Sequence, residues 1–119
     1  MLRPLLTASL AALALAGPGA AADLPVGWTH AEINYAVGRV PHTLVLDHGR
    51  VTAVSPSSLT LREQDGSSVE VALSPSTQVA IGGRPGTVAD IRRGFVATTR
   101  RIDGGPATRV RVVPRRLRR

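Results

Sequence analysis

SLTLREQDGSSVEVAL, residues 58–73, decides the fold: two alternating apolar runs stand either side of Asp65-Gly66. Alternation of this kind lines one face of a strand, and an Asp-Gly between two such runs is a hairpin signal. The register follows from parity. A two-residue loop at Asp65-Gly66 sets Leu61 opposite Glu70, apolar against charge on one face. Directly opposed residues share a face, so that pairing is rejected. A three-residue loop, Gln64-Asp65-Gly66, sets Leu61 opposite Val69 and Leu59 opposite Val71. Gly66 then takes the left-handed position that a type I turn with a bulge requires. Thr60, Arg62, Ser68 and Glu70 face water. The hairpin carries no nucleophile, metal-ligand set or phosphate loop, so it reads as scaffold.

The same period runs on either side of this hairpin. TLVLDHGRVTAV, 43–54, predicts a second hairpin turning at His48-Gly49, with Leu46 opposite Val51 and Asp47 opposite Arg50. TQVAI, 77–81, reads as a strand and GGRPG, 82–86, as a loop. TVADIRRG, 87–94, reads as one helical turn with Thr87 at its N-cap and Val88 and Ile91 on one side. FVATTRRI, 95–102, and TRVRVV, 108–113, are strands joined by DGGPA. In the last strand Val110 and Val112 share one face, Arg109 and Arg111 the other. About six short strands with turn signals between them give an all-β domain, expected as a small antiparallel OB-like barrel over 43–113.

Ahead of it, WTHAEINYAVG, 28–38, has helix-start chemistry. Thr29 and Glu32 have capping-box spacing, Trp28 and Ile33 are placed for a staple, and Gly38 suits a C′ position. A short helix over His30–Val37 is expected within an N-terminal extension, 23–42.

The chain opens MLRPLLTASLAALALAGPGAAADLP. One Arg, an uncharged apolar run from Leu5 to Ala16, a Pro18-Gly19 break and Ala20-Ala21-Ala22 predict a secretory signal peptide, 1–22, cleaved before Asp23. The run is too short to span a bilayer, which needs about 20 residues. With no cysteine, the exported domain has no disulfide and is held by packing. All 15 basic residues are Arg, set against 8 acids. Four of them, Arg115, Arg116, Arg118 and Arg119, crowd into a tail at 114–119, so the body is close to neutral. Such a tail is suited to electrostatic attachment to an anionic surface.

GRVTAV, 49–54, SLTL, 58–61, Asp65-Gly66, TQV, 77–79, and DIRRG, 90–94, in this order and spacing, resemble a secreted bacterial family catalogued as domain of unknown function five-six-six-six. The resemblance covers roughly residues 49–113. It implies a small exported β-barrel module and carries over no catalytic or ligand residue.

Enzymes need a convergent set of reactive groups. The Ser and Thr residues fall in turns and on wet strand faces. The general-base candidates are His30, His42 and His48. A metal site from His30, Glu32, His42 and His48 is conceivable, but no zinc-type spacing joins them, and neither a metal nor a cofactor is expected. Single-stranded nucleic acid, the common ligand of an OB barrel, needs exposed aromatic platforms. Phe95 alone lies in the barrel region, so nucleic acid is not the expected partner. The expected function is non-enzymatic: an envelope-associated binding module using Arg109, Arg111, Arg115, Arg116, Arg118 and Arg119 on an anionic polymer, membrane surface or protein. The alternatives are a self-assembling structural domain and a small-molecule-binding barrel.

Overall fold

A computed structural model describes residues 24–114. The signal-peptide segment and the arginines at 115, 116, 118 and 119 lie outside the described residues. Among the described residues no helix is long and apolar enough to cross a membrane.

The sheet is organised by β2 (Val40–Ser55), a continuous strand of 16 residues. No turn forms at His48-Gly49. Residues 44–50 pair along one edge with β7 (Val96–Ile102), so the uninterrupted strand satisfies backbone groups that a hairpin would have left to water. Along its other edge β2 carries β1 (His30–Val37) on its first half and β3 (Ser58–Arg62) on its second.

The segment His30–Val37 is therefore a strand, not the helix its capping chemistry suggested. Eight residues are too few for a helix to persist without tertiary support, and the free edge of β2 supplies a full antiparallel ladder from His30–Asp47 to Val37–Val40. Gly38, at φ 63°, is the first central residue of the two-residue turn between β1 and β2. A positive φ there suits a hairpin turn of type II′.

The hairpin of β3 and β4 (Ser68–Ala72) adopts the expected register, with Leu61 opposite Val69 and Leu59 opposite Val71. Glu63 N–H donates to Ser67 O at 2.8 Å, which closes the three-residue loop, and Gly66 has φ 91°. The stretch expected as a loop at 82–86 makes a further hairpin. β5 (Gln78–Ile81) and β6 (Arg84–Gly86) turn through Gly82 and Gly83, both at positive φ. The expected helical turn is a 3-10 turn over Val88–Asp90, where the Asp90 carboxylate accepts from Thr87 N–H at 2.9 Å.

β8 (Ala107–Val113) pairs antiparallel with β7 and parallel with β5. One eight-stranded sheet results, in the order β4-β3-β2-β7-β8-β5-β6, with β1 beside β2. It is all-β, but it is neither wholly antiparallel nor closed into an OB-like barrel. Among the described residues, the end strands β4 and β6 are not paired with each other. β6 has three residues and contains Pro85, which has no N–H to offer a further strand, so the sheet stops there.

The sheet curls instead. A bulge inserts Thr52 between the Val51–Leu61 and Ala53–Thr60 pairs and bends β2. Val51, Leu59, Leu61 and Val71 from one leg thereby share a core with Val79, Ala97, Val110 and Val112 from the other. Ile91, just after the 3-10 turn, fills it from the side. Leu59, Leu61, Val71 and Val110 are wholly buried. Burying a side chain of this size contributes about 1.5–3 kcal/mol.

Candidate functional site

Two features of the sheet bring polar chemistry together, one on each face. On the outer face, parity places Arg109 and Arg111 of β8 away from buried Val110 and Val112, as the sequence indicates. Arg109 stands directly opposite Arg100 of β7 and beside Gln78 of β5. Arg111 stands opposite Thr98. A groove of about 520 Å³ opens over the Arg100–Arg109 pair, with Ser74, Ser76, Gln78 and Thr108 contributing hydroxyl and amide groups to its lining. Its wall is fixed locally. Thr77 Oγ1 donates to Ala107 O at 2.6 Å, and Thr108 Oγ1 donates to Arg100 O at 3.1 Å. Among the described residues, the one arginine in an ion pair with a carboxylate is Arg101. Guanidinium groups beside hydroxyls form a donor-rich surface for phosphate, sulfate or carboxylate groups.

Arg101 does not join that strip. It follows Arg100 by one residue and so points to the inner face, where it meets Asp47. Asp47 is 1% exposed. As an imidazolium, His30 donates from Nδ1 to Asp47 Oδ1 at 2.6 Å and from Nε2 to Glu32 Oε2 at 2.9 Å. Arg101 donates to Asp47 Oδ2 at 3.3 Å. Glu63, 7% exposed, comes from the turn end of β3; its Oε1 accepts from Ser67 Oγ at 3.2 Å. Donor atoms of His30, Asp47 and Glu63 lie within 4.8 Å of one another. Among the described residues, Glu63 Oε2 has no hydrogen-bond donor, nor do buried Thr99 Oγ1 and Arg101 Nε have partners.

Gly49 makes this approach feasible. A Cβ on Gly49 would lie 2.5 Å from Arg62 O and 3.2 Å from Glu63 Cα. The bare backbone of β2 thus lets the end of β3 cross close enough for Glu63 to sit beside Asp47. The environment shifts the protonation of both partners. Hydrogen bonds to Asp47, and next to Glu32, raise the His30 pKa above its ordinary value. Burial first, and then a hydrogen bond shared with the Asp47 carboxyl, raise that of Glu63, favouring its protonated form.

The four residues considered together in the sequence do not form one site. His30 and Glu32 meet, but His42 pairs with Asp103 at 2.6 Å and stacks on Tyr35, while His48 bonds Thr98 at 2.8 Å and stacks on Trp28. Sequence reasoning misses Asp47, Glu63 and Arg101, although parity carries a signal for the two acids. Asp47 alternates with Val45, Gly49 and Val51, and Glu63 continues the series Leu59, Leu61. Arg115, Arg116, Arg118 and Arg119 lie outside the described residues.

Compared with protein-family models, curated proteins and solved structures, the chain matches none.

Proposed function

We propose that this chain is an exported, non-enzymatic binding module that takes an anionic polymer of the cell envelope on the sheet face carrying Arg100, Arg109 and Arg111. The observation that carries this reading is the Arg100–Arg109 pair, placed directly opposite each other at a groove whose lining mixes hydroxyl and amide groups with Ile102, Pro106 and Ala107. Like charges in opposed positions destabilise a sheet. A polyanion laid along β7 and β8 reverses that penalty and gains charge-assisted hydrogen bonds. Arg115, Arg116, Arg118 and Arg119 add attraction that salt weakens, since charges are screened over about 8 Å at physiological ionic strength. Export rests on the leader-like sequence of residues 1–22.

The test is co-sedimentation of the chain with purified bacterial cell wall, and with anionic and neutral liposomes, at low and physiological salt. The reading expects binding to cell wall that is weakened by Arg100→Ala with Arg109→Ala and by deletion of 115–119. If neither change alters sedimentation, the arginine face is not the binding surface. Preference for anionic liposomes over cell wall would move the partner to the membrane.

The facing guanidinium groups also suit a second reading, a small anionic molecule held between Arg100 and Arg109. A mononucleotide or sugar phosphate that displaces the cell-wall polymer would select it.

A further inference from the structure

On the inner face of the sheet, we propose that His30, Asp47 and Glu63 form a binding site for one divalent transition-metal ion of the zinc class. The site is independent of the anionic-polymer reading, since it lies on the opposite face from Arg100 and Arg109.

Each of the three side chains has one donor atom held from outside and another left toward its neighbours in the cluster. His30 Nε2–H is held by Glu32, which leaves Nδ1 facing Asp47. Asp47 Oδ2 is held by Arg101, which leaves Oδ1 facing His30. Glu63 Oε1 is held by Ser67, which leaves Oε2 buried and without a donor. An imidazole oriented by a carboxylate, and ligating carboxylates themselves hydrogen-bonded, form the outer shell that metal ligands characteristically have. A buried carboxylate oxygen with no donor is costly in a protein interior, and a coordinated cation removes that cost.

The donor set and charge choose the ion. Zinc binds imidazole nitrogen and carboxylate oxygen at about 2.0–2.2 Å, so the ligand atoms need shifts on the order of 1 Å to close around it. One imidazole with two carboxylates suits a first-row transition ion; magnesium and calcium favour oxygen-only shells. Glu32, Asp47 and Glu63 bring three carboxylates against the single guanidinium of Arg101. With His30 neutral and all three carboxyls ionised, two negative charges are left over; a dication balances them and takes the place of the proton that Glu63 otherwise retains. His30 is 41% exposed and Glu32 57%, so an ion enters from the solvent side while Asp47 and Glu63 form the floor.

The experiment is calorimetric titration of the metal-stripped full chain with Zn²⁺, backed by the visible absorption of bound Co²⁺. One ion per chain is expected, and excess Mg²⁺ should not displace it. Glu63→Gln and His30→Gln should each abolish the tight phase. Glu32→Gln, which removes only an outer partner, should weaken it about 10–100-fold. His42→Gln and His48→Gln should bind as the parent does, which separates this site from surface histidines. Circular dichroism checks that Glu63→Gln folds; if it does not, His30→Gln at the solvent rim decides. Absence of Zn²⁺ binding, equal affinity for Mg²⁺, or Zn²⁺ binding that survives His30→Gln would overturn the proposal. The cluster would then be an internal ion-pair network.

Discussion

Arg100 and Arg109 face each other across neighbouring antiparallel strands, two like charges at a directly opposed pair. Such an arrangement costs stability in the absence of a counter-charge, and the cost is measurable. Arg109→Glu turns the pair into an opposite-charge one and should stabilise the fold by about 0.2–1 kcal/mol. The same change should weaken retention on a polyanion column. Urea unfolding and column elution of one variant read both effects. A loss of stability would show that Arg109 does more for the sheet than its charge suggests.

Gly49 should tolerate no side chain. Gly49→Ala places a methyl 2.5 Å from Arg62 O, a backbone atom that moves only if the β2–β3 crossing opens. A destabilisation of about 1–3 kcal/mol is expected from the overpacking. Denaturant midpoints measure it, and an unchanged midpoint would mean that the crossing has room to open.

Leu61 is wholly buried between Val51 and Val69, its partners on either side. Leu61→Ala should therefore cost about 2–5 kcal/mol. Leu61→Met, close in volume, should cost less than about 1.5 kcal/mol. Thermal unfolding of the two variants tests whether this position lies at the centre of the core.

Two histidines should pull the pH dependence of stability in opposite directions when a chelator is present. His30 has a raised pKa, through Asp47 and then Glu32. Its contribution is full below the unfolded value of 6.5 and is lost as pH rises through the higher folded value. His48 has a lowered pKa because burial disfavours its charged form. The folded state resists protonation there, so that contribution falls as pH drops through 6.5. Relative to the parent, His30→Gln should be most damaging at about pH 5.5, and His48→Gln should be least damaging there. Melting temperatures from about pH 5 to 8 check both signs.

How much of this the sequence disclosed depended on whether a segment's neighbours were close in the chain. The hairpin of β3 and β4 was legible down to its register, because strict alternation and a Gly at the left-handed position settle a local pairing. The division of β8 into a valine face and an arginine face was legible for the same reason. The segment at 30–37 misleads because HAEINYAV satisfies two periods at once. Thr29, Glu32 and Gly38 spell a helix, while Ala31, Ile33 and Tyr35 alternate as a half-buried strand face. The arbiter was the free edge of β2, which no local pattern reveals. The same holds for the single long strand at 40–55, whose His48-Gly49 turn would have been sound had β7 not been there to pair with it. The inner cluster needed residues from β1, β2, β7 and the β3–β4 turn. Parity alone marked Asp47 and Glu63 as inward-facing acids, but only the close crossing of β2 and β3 at Gly49 puts them side by side.

The parallel pairing of β5 with β8 also governs the order in which the molecule can be built. β8 lies between β7 and β5, so the β5–β6 hairpin has no place in the sheet until residues 107–113 are available. Val79 and Ile91 therefore stay unsheltered until β8 has docked between β7 and β5. β8 is thus the keystone of the described fold: the two legs of the core close on each other only once it is set.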